Sequence, residues 1–442
     1  MKKSNPKILF YTNIPRSFRT TLIGYLYEIA QVYPTVLLSE KLDYETEKII
    51  ADKRLFPKLE KIISINQFSA EKRGLLNLLA RHRHFSKLAK DLIQRYKPDI
   101  VFATGSEIFE SYLRRFAKKS GIITISGIGP LFVQIKDIEI LRDLWGGYSR
   151  FPSFLPRNIK IMLVRCRRYL AHFMYFWILP ILAGQAPFTK EPSCILWDVE
   201  NVNGADFYFV FSKIDYDILT DNGVPKDKLS ILVHPLQGKG REIFKIAYPS
   251  RVKQKNKDIH KILTIMYPEN QIGFKRDDYS LIPKEKMQED RTRIISLIAD
   301  IFKDWKIFIK PHPMIKDNPA QLQEIIEAIE PISKSIKVTD PLEPADEYIE
   351  ASDAIAVFPP VSTTLFTSFL QCPEKPILSL DLLHELLGDG YKNSEGIEYI
   401  DSQKKLINVL QLIRDNKYYK KHETNQETKG YLGIVDMLKD LC

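Results

Sequence analysis

The chain has 442 residues, a length that predicts two domains because single hydrophobic cores stop growing well short of it. Hydrophobic residues make up 44% and charged residues 27%, which excludes a disordered or fibrous chain. The formal net charge of +10 favours an anionic partner, whether nucleic acid, a membrane face or a phosphorylated small molecule.

The first half of the chain alternates strand-like and helix-like stretches. Short apolar runs predict strands at 7–12, 34–40, 98–106 and 122–130. Helical spacing of apolar residues predicts helices at 21–33, 76–96 and 107–121. A strand, a helix and a further strand follow within 205–236. Strands separated by helices predict a parallel sheet that is covered on both faces.

The stretch RNIKIMLVRCRRYLAHFMYFWILPILAG (157–184) interrupts this alternation. It is basic at first and then strongly apolar and aromatic, with Pro180 inside the apolar part. One interpretation is a segment that lies on a membrane surface with its cations near anionic headgroups. The other is a buried helix between domains. The chain has no uninterrupted run of eighteen apolar residues, so we expect no membrane span.

The cysteines and the N-terminal stretch indicate the compartment. Four widely spaced cysteines without a Cys-x-x-Cys pair predict reduced thiols and no zinc site. The stretch MKKSNPKILFYTNIP runs directly into a predicted strand, which is not the pattern of a secretory signal. We therefore expect a cytoplasmic protein, peripheral at the inner face of the cytoplasmic membrane if 157–184 touches it.

The second half of the chain repeats the alternation after a polar, basic stretch at 238–258. Its predicted strands are 261–268, 305–310, 335–340, 353–360 and 375–381, and its predicted helices are 291–304, 319–330, 344–352 and 362–371. We predict an α/β fold with two Rossmann-like domains facing a cleft, 1–240 for an acceptor and 241–442 for a nucleotide donor. Ligands of such sheets bind beyond the carboxyl ends of the strands.

A histidine follows one of these predicted strands in the stretch KIFIKPHP. Pro311 and Pro313 hold the backbone outside helix and strand, so His312 is presented from a stiff loop. An imidazole there can donate a hydrogen bond to a phosphate oxygen, and Lys310 is a further candidate contact. The alternative is a histidine satisfied locally in a turn.

A cluster of hydroxyl side chains follows another predicted strand in FPPVSTTLFTSFL. Ser362, Thr363 and Thr364 lie at the start of the next predicted helix. They are ordinary helix caps, but a helix start with its amides is also an anion site. Both loops belong to one predicted sheet, at neighbouring or near-neighbouring strands. Together they favour a nucleotide as the ligand.

The two loops resemble the nucleotide-binding half of bacterial GT-B glycosyltransferases that make surface and capsular polysaccharides. The likeness is to sialyltransferases, polysialyltransferases, Kdo transferases and the related CDP-glycerol glycerophosphotransferases, and it covers 261–381. It implies that His312 and Pro313 form a His-Pro motif, and that Ser362, Thr363 and Thr364 form a Ser/Thr motif. In the CMP-sugar users these motifs contact cytidine monophosphate. Over the N-terminal half the likeness is architectural only.

A transferase of this kind needs a base to take the proton of the acceptor hydroxyl. Several bacterial sialyltransferases carry an acidic pair followed by Gly in the N-terminal domain, and this chain lacks it there. Glu107, just after the predicted strand 98–106, is the candidate by position, although it is also a favourable first-turn acid of a helix. Asp137 and Glu139 are the alternatives.

The leading hypothesis is a glycosyltransferase that moves a sugar from a nucleotide sugar to a surface polysaccharide or lipid-linked glycan. The CMP-activated acidic sugars are the favoured donors. We expect no metal, because no Asp-x-Asp is placed after an apolar strand in the manner of metal-dependent transferases, and no cofactor besides the donor substrate. The alternatives are a CDP-alcohol polyol-phosphate transferase, a nucleotide-sugar epimerase and a non-catalytic polysaccharide-assembly protein. We expect no binding of nucleic acid, because no nucleic-acid-binding motif occurs.

Overall fold

The protein is described by a computed structural model. It describes residues 5–12, 22–39, 42, 44–65, 75–103, 108–127, 155–188, 205–221, 224–237, 241, 243, 246, 252, 261–268, 273–274, 281–358, 363–385, 396–418 and 431–441. The chain divides into two compact units. The first unit comprises Met1–Ala247 and Gly430–Cys442, and the second comprises Tyr248–Lys429.

The first unit is built on a parallel sheet. Its strands are β1 Ile8–Thr12, β2 Thr35–Ser39, β3 Leu59–Ser64, β4 Ile100–Ala103, β5 Ile123–Gly127, β6 Phe207–Val210 and β7 Leu229–Ile231. Within the described residues their order is β3-β2-β1-β4-β5-β6-β7, and every neighbouring pair is parallel. The inner strands β1, β2 and β4 are buried along their whole length, which is why they appear in the sequence as continuous apolar runs.

The first unit also contains helices. They are α1 Ile23–Val32, α2 Tyr44–Ile50, α3 Leu75–Tyr96, α4 Ile108–Lys119, α5 Arg157–Phe173, α6 Leu179–Leu182 and α7 Lys213–Asp221, with a π-helical turn at Met174–Ile178 between α5 and α6. Helix α4 ends as the sequence indicates, because Gly121 adopts a φ of 68° and the amide of Ile122 donates to the carbonyl of Ala117 at 3.0 Å.

The second unit has its own parallel sheet. Its strands are β8 Ile262–Tyr267, β11 Lys306–Pro311, β12 Ile336–Val338, β13 Ala354–Val357, β14 Ile377–Leu380 and β15 Glu398–Ile400, and a short antiparallel pair is formed by β9 Gly273–Phe274 and β10 Leu281–Ile282. Within the described residues the order is β12-β11-β8-β13-β14-β15, all parallel. Strand β8 therefore lies between β11 and β13.

The helices of the second unit are α8 Lys284–Ile301, α9 Pro319–Ile329, α10 Ala345–Ala351, α11 Thr363–Gln371 and α12 Gln403–Arg414. The side chain of Asn318 caps α9 by accepting the amide of Gln321 at 3.3 Å, and Ser402 caps α12 in the same way. The core combines strand residues with one apolar face from each of α8, α9 and α12.

An aspartate placed directly before a strand recurs in both sheets. Its carboxylate accepts a backbone amide at the start of the neighbouring strand, a donor that the ladder leaves unused. The pairs are Asp99 with Lys7 at 2.9 Å, Asp206 with Thr124 at 2.9 Å and Asp353 with Ile262 at 2.8 Å. These aspartates therefore help to fix which strands start side by side.

The last helix, α13 Ile434–Leu441, belongs to the first unit. Just before it, the amide of Val233 donates to the carbonyl of Leu432 at 3.0 Å, and the amide of Leu432 donates to the carbonyl of Ile231 at 3.1 Å. The helix buries Ile434 and Leu438 and contacts α1. The sequence-based division into 1–240 and 241–442 thus differs from the structure at the chain end.

The predicted α/β class with two parallel, helix-covered sheets is confirmed. Strands β3 and β15 and helices α2, α12 and α13 were not predicted, and α8 begins at Lys284 rather than at residue 291. Among the residues that the structure describes, no helix is long and apolar enough to cross a membrane.

Candidate functional site

The predicted His-Pro loop lies at the carboxyl end of β11. The amide of His312 donates to the carbonyl of Tyr267, the last residue of β8, at 2.8 Å. The amide of Ile315 donates to the carbonyl of His312 at 3.0 Å, and the Ile315 side chain is fully buried. The backbone of this loop is therefore anchored on both sides of His312, while the residue itself is exposed.

Pro313 begins a 3-10 turn, Pro313–Asp317, that leads into α9. Its fixed φ suits the first position of such a turn, where no amide donor is needed. The sequence therefore ends the strand at Pro311 and starts a helical turn only two residues later. This leaves His312 as the one residue between two regular elements.

Lys310 is buried and bonded to backbone carbonyls, whereas a ligand contact was expected. Its side chain is 2% exposed, and its ammonium donates to the carbonyls of Pro311 at 3.0 Å, Asp340 at 3.2 Å and Pro341 at 2.9 Å. An ammonium has three donors, and three carbonyls accept here. Lys310 thus ties the end of β11 to the loop after β12, and it positions the His312 loop from beneath.

The predicted Ser/Thr motif lies where α11 begins. Strand β13 and Phe358 are buried, and helix α11 starts at Thr363 with Thr364 in its first turn. Ser362 and the side chains of Thr363 and Thr364 lie outside the described part of the chain. What the structure gives is a helix start just beyond the carboxyl end of a buried strand, where backbone amides and the helix dipole favour an anion.

The topology brings the two predicted loops to one edge of the sheet. Strands β11 and β13 pair with opposite sides of β8, so their ends lie about 10 Å apart, twice the spacing of adjacent strands. The exposed His312 and the amino end of α11 therefore lie beyond the ends of two strands at one edge of the sheet.

A buried ionic cluster that sequence reasoning missed lies at the same edge. The guanidinium Nη2 of Arg291, on α8, is 3.2 Å from Oε1 of Glu385, and both side chains are at most 5% exposed. The Arg291 guanidinium also lies over the rings of Tyr267 and Phe358, at 5.5 and 5.9 Å from their centroids. Tyr267 is the last residue of β8, and Phe358 directly follows β13. Both strands end at the candidate site.

The cluster continues to Asp381 after β14. The amide of Glu385 donates to Oδ1 of Asp381 at 2.8 Å, and the Tyr399 hydroxyl donates to Oδ2. Burial raises the pKa of Glu385 above its ordinary value, and the positive charge of Arg291 opposes that shift in part. The ring of Tyr267 packs against the Arg291 guanidinium, and the carbonyl of Tyr267 accepts the amide of His312. The cluster therefore supports the His312 loop.

One sequence signal could have pointed to this cluster. Arg291 occupies the buried stripe of α8, in phase with Met287, Ile294, Ile295 and Ile298. A charged residue in an apolar stripe needs a buried partner. The partner, Glu385, lies 94 residues away, so the sequence alone does not identify it.

The expected base cannot be placed in the same way, since Glu107 lies outside the described residues, as do Asp137 and Glu139. The structure does describe α4, which begins one residue after Glu107. Glu110, in its first turn, is completely buried and was not singled out from the sequence. Among the described residues, no three His, Cys, Asp or Glu side chains come together as metal ligands.

Gly127, the last residue of β5, has a packing role. A Cβ at this position would lie 2.4 Å from the ring of Phe209 on the neighbouring strand β6. The ring of Phe209 is completely buried and stacks on Phe102 at 5.4 Å. The glycine is therefore required by the aromatic core beneath the sheet edge.

No protein-family model and no curated protein sequence matches this chain. Solved structures do. The UDP-GlcNAc 2-epimerase of Neisseria meningitidis bound to UDP-GlcNAc superposes with a TM-score of 0.58 at 12% identity, over 98% of each chain. The UDP-GlcNAc 2-epimerase of Methanocaldococcus jannaschii gives 0.56 at 12% identity over 98% of this chain and 99% of its own.

A second structure of the Methanocaldococcus jannaschii enzyme, in complex with UDP-GlcNAc and UDP, gives a TM-score of 0.54 at 13% identity. At such identities the likeness shows the fold: two Rossmann-like domains of the GT-B type, as the sequence predicts. These neighbours are nucleotide-sugar epimerases, so they agree better with the epimerase alternative than with a capsule glycosyltransferase.

Proposed function

We propose that the protein is a nucleotide-sugar enzyme whose second unit binds the nucleotide diphosphate between the His312 loop and the start of α11. The observation that carries this proposal is the placement of both loops at the strands flanking β8. His312 supplies a donor from an anchored backbone, and α11 supplies amides and a favourable dipole. Ser362, Thr363 and Thr364 are our proposed hydroxyl contacts at that helix start.

We infer that the nucleotide is UDP and that the leading reaction is epimerisation of the sugar. The support is that the structural neighbours are UDP-GlcNAc 2-epimerases. This changes the preference from a CMP-activated donor, which came from short motifs alone. Epimerisation inverts a carbon of one sugar and needs no acceptor.

Transfer of the sugar to a glycan or lipid-linked acceptor is the second candidate. One observation favours it: the first unit carries an exposed apolar and basic helix, α5, suited to a partner at a lipid surface. In either reaction Glu107 is our proposed acid-base residue, because it directly precedes α4 beyond the end of β4. Substitution by glutamine, E107Q, is expected to stop turnover and to leave UDP binding intact.

Nucleotide binding is tested by titrating UDP, CMP, CDP and GDP into the full chain and into the His312→Ala variant. Loss of a charge-assisted hydrogen bond worth about 1.5–3 kcal/mol weakens binding by about 10- to 150-fold. His84→Ala, an exposed histidine on α3, is the matched control and should bind as the wild type does. Equal UDP affinity of H312A and wild type would refute the site, and selective binding of CMP would favour the CMP-sugar transferase.

The reaction is tested by incubating the protein with UDP-GlcNAc in D2O and following the sugar by NMR. Formation of the C2 epimer with deuterium at C2, in the absence of any acceptor, is the expected result for an epimerase. Release of UDP only when a glycan acceptor is added would support transfer. If UDP binds but neither product forms, the non-catalytic alternative is favoured.

A further inference from the structure

Helix α5 exposes a continuous apolar face. Among the described residues, eight of the thirteen exposed large apolar side chains lie between positions 159 and 182. They are Ile159, Met162, Tyr169, Leu170, Phe173, Trp177, Ile181 and Leu182, which we call the apolar strip. Monomeric soluble proteins rarely collect their exposed apolar side chains on one such surface.

The members of the strip that lie on α5 share one exposed side of that helix. At 100° per residue, its members on α5 fall within an arc of about 100°, and Lys160 and Val164 lie roughly 150° away. Those two residues are buried, whereas Tyr169 and Leu170 are 67% and 63% exposed. The helix thus has one buried side, at Lys160 and Val164, and an exposed apolar face opposite to it.

Hydrogen bonds from α3 and α4 hold the end of the strip on the first unit. The guanidinium of Arg115, on α4, donates to the carbonyls of Ala186 at 2.7 Å and Pro187 at 2.8 Å. Arg115 also lies 3.8 Å from the centroid of the Phe188 ring. Arg83 on α3 donates to the carbonyl of Leu182 at 3.2 Å. These contacts hold the end of the strip, at Leu182, and the residues directly after it on helices α3 and α4 of the first unit.

Cations flank the strip on both sides. Residues 157–188 include five Lys or Arg residues and no Asp or Glu. Arg165 and Arg167 are exposed, and on the helical wheel they lie about 90° and 110° from the centre of the strip, on opposite sides. Such an arrangement fits an anionic surface that is apolar behind its charged layer.

The same charges disfavour a second copy of this chain as the occupant. In a two-fold interface each helix meets the same surface of its partner, so the flanking arginines would face arginines. Helix pairs with apolar seams use opposite charges at these flanks, and the segment offers no carboxylate for that purpose. A lipid bilayer with anionic headgroups satisfies both the apolar strip and its flanks.

We propose that the apolar strip and its flanking arginines dock the first unit on an anionic phospholipid bilayer. Helix α5 lies in the plane of the interface, with its apolar side chains among the upper acyl chains and Arg165 and Arg167 at the phosphates. Tyr169 and Trp177 lie at the headgroup level that aromatic residues prefer. This inference is independent of the reaction that the protein catalyses.

The test is flotation of the full chain with vesicles of phosphatidylcholine containing 30% phosphatidylglycerol, and with vesicles of phosphatidylcholine alone. We expect binding to the anionic vesicles and weaker binding in 0.5 M salt. M162S/L170S/F173S removes apolar area and should reduce binding at least tenfold. R165E/R167E should reduce binding to the anionic vesicles by more than 25-fold, since each basic residue near such a surface contributes about fivefold.

Two control variants make the same chemical changes elsewhere. L76S/L342S/L412S alters exposed leucines outside the strip, and K118E/K119E reverses two exposed charges on α4. Both should bind vesicles within twofold of wild type. Equal binding by the strip variant and the leucine control would overturn the proposal, as would the absence of wild-type binding.

Tryptophan quenching in the wild type and in the conservative variant W177F tests the proposal even if the multiple variants do not fold. Vesicles with brominated acyl chains should quench tryptophan fluorescence of the wild type, and this quenching should be lost in W177F. Quenching that persists in W177F would overturn the proposed orientation. A dimer in solution that M162S/L170S/F173S converts to monomer, without vesicle binding by the wild type, would identify a second copy as the occupant and refute the lipid surface.

Discussion

Replacement of Arg291 by methionine removes one partner of the buried ion pair and keeps most of the apolar length of the side chain. Both partners are nearly inaccessible, with side-chain exposures of 2% and 5%. Removing one partner of such a pair destabilises a protein by about 3–5 kcal/mol, because the other charge stays buried without compensation. That is a large fraction of the 5–15 kcal/mol that holds a typical domain folded.

The loss should depend on pH, with a definite sign. Burial already raises the pKa of Glu385 above 4.5, and Arg291 opposes that shift. Without Arg291, folded Glu385 retains its proton at pH values where the unfolded chain has released it. Stability of R291M therefore falls as pH rises above about 4.5, so its deficit relative to wild type is larger at pH 8 than at pH 5.

The assay is urea unfolding followed by the fluorescence of Trp305, the one tryptophan of the second unit. Trp305 is 7% exposed and packs on Phe302, so its emission reports the core of that unit. The tryptophans at 145, 177 and 197 are changed to phenylalanine in every protein compared. A loss below about 1 kcal/mol would refute the reasoning.

A double-variant cycle separates the pair from its surroundings. R291M/E385M replaces both charges by apolar side chains, which is often nearly neutral for a buried pair. The double variant should therefore be more stable than R291M. Additive losses, with a coupling below about 0.5 kcal/mol, would show that the two side chains do not act together.

Three further predictions concern single residues. Lys310→Met leaves three buried carbonyls without their donor, so we expect a loss of about 2–4 kcal/mol by the same Trp305 assay and weaker UDP binding. The pKa of His82 is lowered to about 4 by burial and then by Arg81 and Arg115. As pH falls, the unfolded chain protonates this histidine before the folded chain does. The first unit therefore loses at most about 3 kcal/mol of stability as pH falls from 6.5 to 4. H82Q should reduce this loss, measured by hydrogen exchange of α3 and α4. Gly127→Ala should destabilise the first unit by about 1–3 kcal/mol, and F209L should relieve part of that loss.

The sequence predicts the central strands well because they are buried on both faces. Strands such as β1 and β8 leave continuous apolar runs that no amphipathic element produces. Strand β3 was missed because it is an edge strand whose Glu60 and Lys61 are exposed, so that its apolar run is broken. Strand β15 has only three residues and lies at the other sheet's edge. Its pairing with β14 depends on tertiary contacts, which the sequence pattern does not show.

For the candidate site, position along the chain predicts which residues follow strands. It does not predict which side chains meet in the folded unit. His312 and Thr363 could be singled out because each follows a predicted strand, and the parallel sheet places the ends of β11 and β13 at one edge. The role of Lys310 was not predictable, since two of its three acceptors come from the loop after β12, 30 and 31 residues later. The Arg291–Glu385 pair is hidden for the same reason.

The return of α13 to the first unit has a consequence for biosynthesis. Residues Gly430–Cys442 follow the whole second unit along the chain, yet they belong to the first unit, where Leu432 forms a bridge with Leu232 after β7 and α13 contacts α1. The second unit, Tyr248–Lys429, has then already emerged in full. During translation the first unit therefore obtains α13 only after the second unit has been synthesised, and until then the surface of α1 that α13 contacts stays exposed. Stalling of synthesis before Gly430 should leave a folded second unit joined to an incomplete first one.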